Sequence, residues 1–248
     1  MSKCLIVTGG GRGIGAEVSR KAAKQGYSVC VNFHRDQTSA QKLVRELEKE
    51  GANALAYQAD VSREEEVETL FQTVEKDLGT PEALVNNAGI LDLQTRVDGM
   101  NAERIQRIFA VNVTGSFLCA REAVKRMSTK YGGKGGSIVN LSSGAAKYGS
   151  PGEYVDYAAS KAAIDTLTIG LAKEVAEEGI RVNAVRPGFI DTEIHQSGGE
   201  PDRMERVRPL VPMKRVGQAD EVADAIMWLL SDKASYTTGT ILDVSGGR

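Results

Sequence analysis

Short runs of apolar, largely β-branched residues alternate along the chain with longer stretches whose apolar positions recur every three or four residues. The short runs are "CLIVT" (4–8), "SVCVNF" (28–33), "ALAYQ" (54–58), "ALVNN" (83–87), "SIVNLS" (137–142), "RVNAV" (181–185) and "TILDV" (240–244). Runs of this kind predict strands, and strands separated by helices predict a parallel sheet covered on both faces. The periodic stretches predict helices over 13–26, 38–50, 63–78, 101–129, 154–178 and 218–231. No repeat, low-complexity tract or linker interrupts the order, so the 248 residues read as one α/β domain.

Two helix starts carry chemical signatures. "SREE" puts Ser62 at a cap and Glu65 three residues on, the pattern of a capping box. "QADE" puts Asp220 and Glu221 at the positive end of the last helix dipole. The stretch from Asp191 to Gly217 differs from the rest. It holds Gly198, Gly199, Pro201, Pro209, Pro212 and several arginines, and reads as a substrate lid beyond a strand end.

Charge and composition narrow the function classes. Net charge is -2, hydrophobic residues are 41% and charged residues 26%, so no basic surface calls for nucleic acid. No apolar run is long enough to span a membrane, and no leader or lipidation motif is present. Cys4, Cys30 and Cys119 are far apart with no C-x-x-C, which suits structural thiols in a reducing cytoplasm. His34 and His195 are the only histidines. That argues against a metal centre, and against a Ser-His-Asp hydrolase unless one of the two serves it.

"VTGGGRGIG" follows the first strand directly and opens the first helix. Gly9 would let the chain turn off the strand, while Gly13 and Gly15 would let backbone N–H groups and the helix approach a pyrophosphate. A nucleoside-triphosphate loop fails because Ala16, not lysine, follows Gly15. The second strand ends "VNFHRD", with Asn32 and Phe33 where an acidic residue would address ribose hydroxyls. Arg35 just beyond and Arg12 in the loop could bind a 2′-phosphate, so NADP is favoured over NAD. Asp36 argues the other way but lies past the strand. With Ser62 assigned as the helix cap, Asp60 keeps a carboxylate for an adenine amino group, the alternative being a local turn hydrogen bond. "NNAG", 86–89, ends the fourth strand, where an open α/β sheet binds ligands.

"YVDYAASKAAID" sets Tyr157 and Lys161 one helical turn apart among alanines. A phenol ionises near pH 10, and a fixed ammonium beside it would lower that value. Such a tyrosine could exchange a proton with an alcohol or carbonyl oxygen. Lys161 could also hold nicotinamide-ribose hydroxyls. Ser143 could donate to the substrate oxygen, and Asn112 could hold a water linking Lys161 to solvent.

Together "TGGGRGIG", Asp60, "NNAG", Asn112, "SS" at 142–143, "YAASK" and "RPGFIDT" resemble the short-chain dehydrogenase/reductase family in its single-domain branch. The resemblance runs from residue 8 to 192, with "TTGTILDVSGG" similar to the family's last strand. It implies a Rossmann-type, doubly wound, seven-stranded parallel sheet, a three-layer sandwich. It implies a catalytic set of Asn112, Ser143, Tyr157 and Lys161, with Ser143 and Tyr157 on the substrate. It places the cofactor against Gly9, Arg12, Gly13, Ile14 and Gly15, against Asn32, Arg35, Asp60 and Val61, and against Asn87, Ala88 and Gly89. Tyr157, Lys161, Pro187, Gly188, Ile190 and Thr192 complete that contact set. Homotetramers are common in the family, and the helices 101–129 and 154–178 carry apolar residues on more than one face.

The segment between Ser143 and Tyr157 is one residue longer than in many relatives, which bears on the substrate pocket rather than on the chemistry. Family members closest in flavour are 3-oxoacyl-[acyl-carrier-protein] reductases and glucose 1-dehydrogenases. Glu177 and Glu178 in "KEVAEEG" would repel an acidic carrier protein. Arg203, Arg206 and Arg208 read as a solvated helix face, with an anionic substrate as the alternative. The expectation is an oxidoreductase acting on a small alcohol or ketone. The alternatives are a catalytically silent nucleotide sensor or structural subunit, and an epimerase or dehydratase of nucleotide-sugar type.

Overall fold

The structure, a computed structural model of the chain, describes residues 3–192 and 203–248. Seven strands form one sheet: β1 Cys4–Val7, β2 Ser28–Phe33, β3 Ala54–Gln58, β4 Pro81–Asn86, β5 Gly136–Leu141, β6 Ile180–Pro187 and β7 Ile241–Val244. Their order is β3-β2-β1-β4-β5-β6-β7, and every pair is parallel. The order reverses between β1 and β4, which opens a crevice at the carboxyl ends of those two strands.

The helices are α1 Gly13–Lys24, α2 Gln37–Lys49, α3 Glu64–Asp77, α4 Ala102–Phe109, α5 Gly115–Met127, α6 Ala145–Tyr148, α7 Val155–Val175, α8 Arg203–Val207 and α9 Ala219–Leu230. Successive side chains of a strand point to opposite faces. Leu5 and Val7 of β1 therefore join Val18, Leu43 and Ile226 of α1, α2 and α9 in one core. Cys4 and Ile6 join Leu70, Cys119 and Val175 of α3, α5 and α7 in the other. This is the doubly wound, three-layer Rossmann-type arrangement. Burial pushes the Cys4 and Cys119 thiols up to about 12, and Cys30 higher still; all three are free and buried. Among the described residues, no helix is long and apolar enough to cross a membrane.

Three local expectations change. The helix expected over 101–129 is interrupted by a π-helical turn, Ala110–Thr114. The turn precedes Gly115, whose Cβ would fall 2.7 Å from Val61 Cγ2, so only a glycine lets the helix come this close to the end of β3. Ser62 does not cap α3. The N-cap is Arg63 with no side-chain bond, Ser62 turns back to Asp60, and Glu66 accepts from the Asp60 N–H at 2.8 Å. The capping box lies on α9 instead, where Gln218 and Glu221 cap each other. Hydrogen bonds from Arg215 and the Gln218 N–H hold Glu221 down at about 2. Of the lid expected over 191–217, residues 193–202, with His195, Gly198, Gly199 and Pro201, lie outside the described residues. At its ends Ile190 bridges Gly217.

Candidate active site

The loop after β1 turns where Gly9 and Gly13 take φ of +59° and +53°, a region that glycine enters at no steric cost. Arg12 precedes α1 without a capping bond, and no acidic residue lies in the first turn. The first N–H groups of a twelve-residue helix thus present an uncompensated positive end. The loop is fastened to the end of β4. Thr8 Oγ1 accepts from the N–H groups of Asn87 and Ala88, each at 3.0 Å. The Asn87 amide donates to Thr8 O and Gly9 O, each at 2.9 Å. A Cβ on Gly15 would fall 2.6 Å from Asn87 Nδ2, inside the fastening. On the far side, Thr192 Cγ2 lies 3.5 Å from where a Gly13 Cβ would project, and Gly188 packs against Ser245. Gly9, Gly13, Ile14, Asn87, Ala88, Gly89, Gly188 and Thr192 are partly open here, whereas Gly15, Pro187 and Ile190 are buried. A glycine cradle, an uncapped helix start and a facing segment fit a dinucleotide's pyrophosphate.

The ribose end departs from expectation at two residues. Asn32 is 1% exposed. Its Oδ1 accepts from the Gly9 N–H at 3.3 Å, and its Nδ2 donates to Ala59 O at 3.1 Å, so it braces the loop from below instead of facing a ligand. Asp60 does not keep a free carboxylate. Its Oδ1 accepts from the Ser62 N–H at 3.0 Å and the Ser62 hydroxyl at 2.7 Å. Burial alone would raise its pKa, but those bonds and the charges of His34 and Arg63 bring it below the ordinary value. Asp36 caps α2 through the Ser39 N–H at 3.0 Å, and that bond, with the Arg12 charge, lowers its pKa. Arg12 and Arg35 are exposed at the rim, while Val61 is buried against α5.

Ser143, Tyr157 and Lys161 meet at the carboxyl end of β5. Ser143 lies close enough to Tyr157 to favour its ionised form, and Ser143 Oγ accepts from the Ala145 N–H at 3.2 Å. Ser142 is buried and donates instead to Lys161 O at 3.2 Å, which decides between the two serines. Lys161 Nζ donates to Leu141 O at 2.7 Å and lies 5.8 Å from the centre of the Tyr157 ring. Burial brings Lys161 down to about 8, with Asp165 pulling the other way. Burial raises Tyr157 above its ordinary value, with Ser143 and the Arg203 charge pulling the other way, so the lowered phenol expected beside Lys161 is not what the structure gives. Arg203, on α8, is 7% exposed and does not form part of a solvated face.

Asn112 sits in the π turn, fully buried. Its Oδ1 accepts from the Ile90 N–H at 2.8 Å, and its Nδ2 donates to Ile90 O at 2.9 Å and Ser160 Oγ at 3.0 Å. The amide thus braces the β4 exit and α7. Sequence reasoning also missed a buried ion pair. Arg104 Nε donates to Asp156 Oδ2 at 2.6 Å, its Nη2 to Oδ1 at 3.3 Å, and its Nη1 to Leu93 O at 2.6 Å. Asp156 Oδ1 also accepts from the Tyr157 N–H at 2.9 Å. Its only trace in the sequence is an acid directly before the tyrosine.

Comparison with known proteins adds to this geometry. A family model described as enoyl-(acyl carrier protein) reductase matches residues 9–248. The uncharacterized oxidoreductase YgfF of Escherichia coli (strain K12) is 56% identical over 98% of this chain and 98% of its own. The 3beta-hydroxysteroid dehydrogenase 1 of Eggerthella lenta is 40% identical over 99% and 93%. A crystal structure of a short chain dehydrogenase from Burkholderia cenocepacia, in complex with NADP, superposes with a TM-score of 0.90 at 31% identity, covering 99% of this chain and 97% of that one.

Proposed function

The chain belongs to the short-chain dehydrogenase/reductase family, and from that premise we propose that it is an NADP-dependent oxidoreductase interconverting a secondary alcohol and a ketone. The observation that carries the reading is the meeting of Ser143, Tyr157 and Lys161 beside the glycine loop. When bound, the nicotinamide supplies or takes up the hydride.

The chain's own residues do the rest. Gly9, Gly13, Ile14 and Gly15 hold the pyrophosphate at the α1 start, with Ala88, Gly89, Gly188 and Thr192 along the dinucleotide. Pro187 and Ile190 set the course of the facing segment. Ser143 donates to the substrate oxygen and orients it. Tyr157 gives its phenolic proton to the carbonyl oxygen in reduction and takes the hydroxyl proton in oxidation. Lys161, anchored on Leu141 O, holds the ribose hydroxyls and adds positive charge near the phenol. Asn112 keeps Ile90 and α7 in register. Asp60 and Val61 border the adenine site.

The NADP preference is supported by two rim guanidiniums, Arg12 and Arg35, and by the engagement of both nearby carboxylates, Asp36 and Asp60, in local hydrogen bonds. Buried free thiols suit the cytoplasm. Ile105, Phe117 and Ile169 are 39%, 51% and 41% exposed on α4, α5 and α7, which supports a homo-oligomer, with a tetramer the expected form. The test is titration with NADPH and NADH followed by a carbonyl panel read at the nicotinamide absorbance. Turnover with NADPH that vanishes in Tyr157→Phe while nucleotide binding survives is expected. Unchanged turnover in that variant sinks the acid/base assignment.

A further inference from the structure

Lys161 is 4% exposed, and its Nζ donates to a neutral carbonyl, Leu141 O, at 2.7 Å. A buried ammonium is costly unless an opposite charge stands near it. Asp165 lies four residues on, one turn along the same face of α7. Side chains of a helix lean toward its N-terminus, so Asp165 leans back over the turn that carries Lys161. Burial brings Lys161 down to about 8, and the Asp165 charge opposes that fall.

Asp165 belongs to a line of charges that alternate in sign. Arg186 of β6 donates to Asp165 Oδ2 at 2.6 Å and to Asp243 Oδ1 of β7 at 3.1 Å. Lys147 of α6 pairs with the other oxygen of Asp243. The line runs from Lys161 through Asp165, Arg186 and Asp243 to Lys147, which is exposed. The Asp165 and Arg186 side chains are 14% and 13% exposed. Asp165 Oδ1 is buried and meets no hydrogen-bond donor among the described residues, so one oxygen is committed to Arg186 and the other is not. A buried ion pair is weak evidence of a stabilising role, since apolar residues of similar volume often serve as well.

We propose that Asp165 is a positioning residue of the catalytic pair: its carboxylate, braced by Arg186, keeps the proton on Lys161 while Tyr157 exchanges its own with the substrate. The inference rests on the oxidoreductase reading and deepens it by naming the residue that sets the state of its lysine. Among the described residues, the other charged groups of the surrounding elements are engaged elsewhere. Arg104 of α4 pairs with Asp156, and Arg107 with Asp92. Arg203 of α8 bears on the Tyr157 phenol. The charged groups of α5, Arg121, Glu122, Lys125 and Arg126, pair with one another and with α3. β5, the β4 exit and the π turn offer Lys161 neutral neighbours: Leu141 O, Gly89 and Asn112.

The test reads the lysine in two ways. In the full chain without nucleotide, the magnetic resonance signal of Lys161 Cε, assigned by its loss in Lys161→Arg, is followed through pH. In turnover with NADPH, the alkaline limb of kcat/KM for ketone reduction is followed. Asp165→Asn should move both to lower pH by about one unit, and Asp165→Glu should restore most of the original position. Arg186→Gln removes the cation that competes for Asp165, so it should move both to higher pH. A merely structural pair would not shift its two variants in opposite directions. A shift under about 0.3 unit in Asp165→Asn, or shifts of one direction in both variants, overturns the inference and leaves the oxidoreductase reading intact. Should Asp165→Asn fail to fold, Asp243→Asn leaves Arg186 to Asp165 alone and should lower the lysine by less; no shift there overturns the inference too. If the Lys161 signal moves as expected and no ketone turns over, the assignment of Asp165 stands and the redox reading fails.

Discussion

Removing one member of the Arg104–Asp156 pair should unsettle the whole catalytic end. The two side chains are 10% and 2% exposed, so solvent screens little of their interaction. Asp156→Ala leaves a guanidinium buried with one remaining partner, Leu93 O, and also frees the Tyr157 N–H. Breaking a buried pair from one side costs roughly 3–5 kcal/mol. For a chain of this size about 1 kcal/mol moves Tm by roughly 2–4 °C, so a fall of about 6–20 °C is expected. Calorimetry or dye-monitored melting of the nucleotide-free protein reads it, and kcat should fall in parallel because α7 begins at this pair. The double variant Arg104→Met with Asp156→Leu removes both charges and should regain at least half of the lost Tm, since two neutral backbone groups, the Leu93 carbonyl and the Tyr157 N–H, are then all that lack partners. A fall of under about 2 °C in Asp156→Ala, or a double variant as unstable as the single one, would refute the reasoning that an unpaired buried charge is the cost.

Tyr157→Phe should lower kcat by about 10²–10⁴-fold with NADPH affinity unchanged, read by turnover and by fluorescence titration. Lys161 has its folded value near 8, below the ordinary 10.5. As pH rises through about 8 its ammonium is lost, so kcat/KM for ketone reduction should fall there, and Lys161→Arg should move the fall to higher pH. By the same sign, the unfolded chain binds more protons at Lys161 between those two values, so this group's contribution to stability rises with pH across that window, as a pH series of melts would show. Arg12→Ala with Arg35→Ala should weaken NADPH by about 10–100-fold and leave NADH nearly unchanged. Equal losses for the two nucleotides would mean that neither arginine meets the 2′-phosphate.

The seven strands were legible because each is built around a short apolar run, and buried parallel strands leave that mark. The Tyr157–Lys161 spacing was legible because a helix fixes it. What the chain concealed depends on contacts between distant segments. Asn32 looked like a ligand group because it ends a strand; its burial follows from Gly9 and Ala59 closing over it. The Ser62 box matched a local pattern, but α3 starts after Arg63, and Ser62 turns back to donate its N–H and hydroxyl to the Asp60 carboxylate two residues earlier. The π turn around Asn112 leads into Gly115, which packs on Val61 some fifty positions away. Arg203 read as solvated because nothing nearby in sequence announces Glu153, Tyr154 and Phe189 as its surroundings.

Lys161 Nζ holds the carbonyl of Leu141, and Ser142 holds the carbonyl of Lys161. This reciprocal tie joins the end of β5 to α7 without using any residue between 144 and 154. The proton-handling groups are therefore registered by the strand and the helix, and the connecting loop is a tether whose length they do not feel. A change of length there can reshape the wall that meets the substrate while the chemistry stays in place. Selection, or an engineer, can accordingly rewrite what the enzyme accepts by editing that loop, and need not rebuild how it reacts.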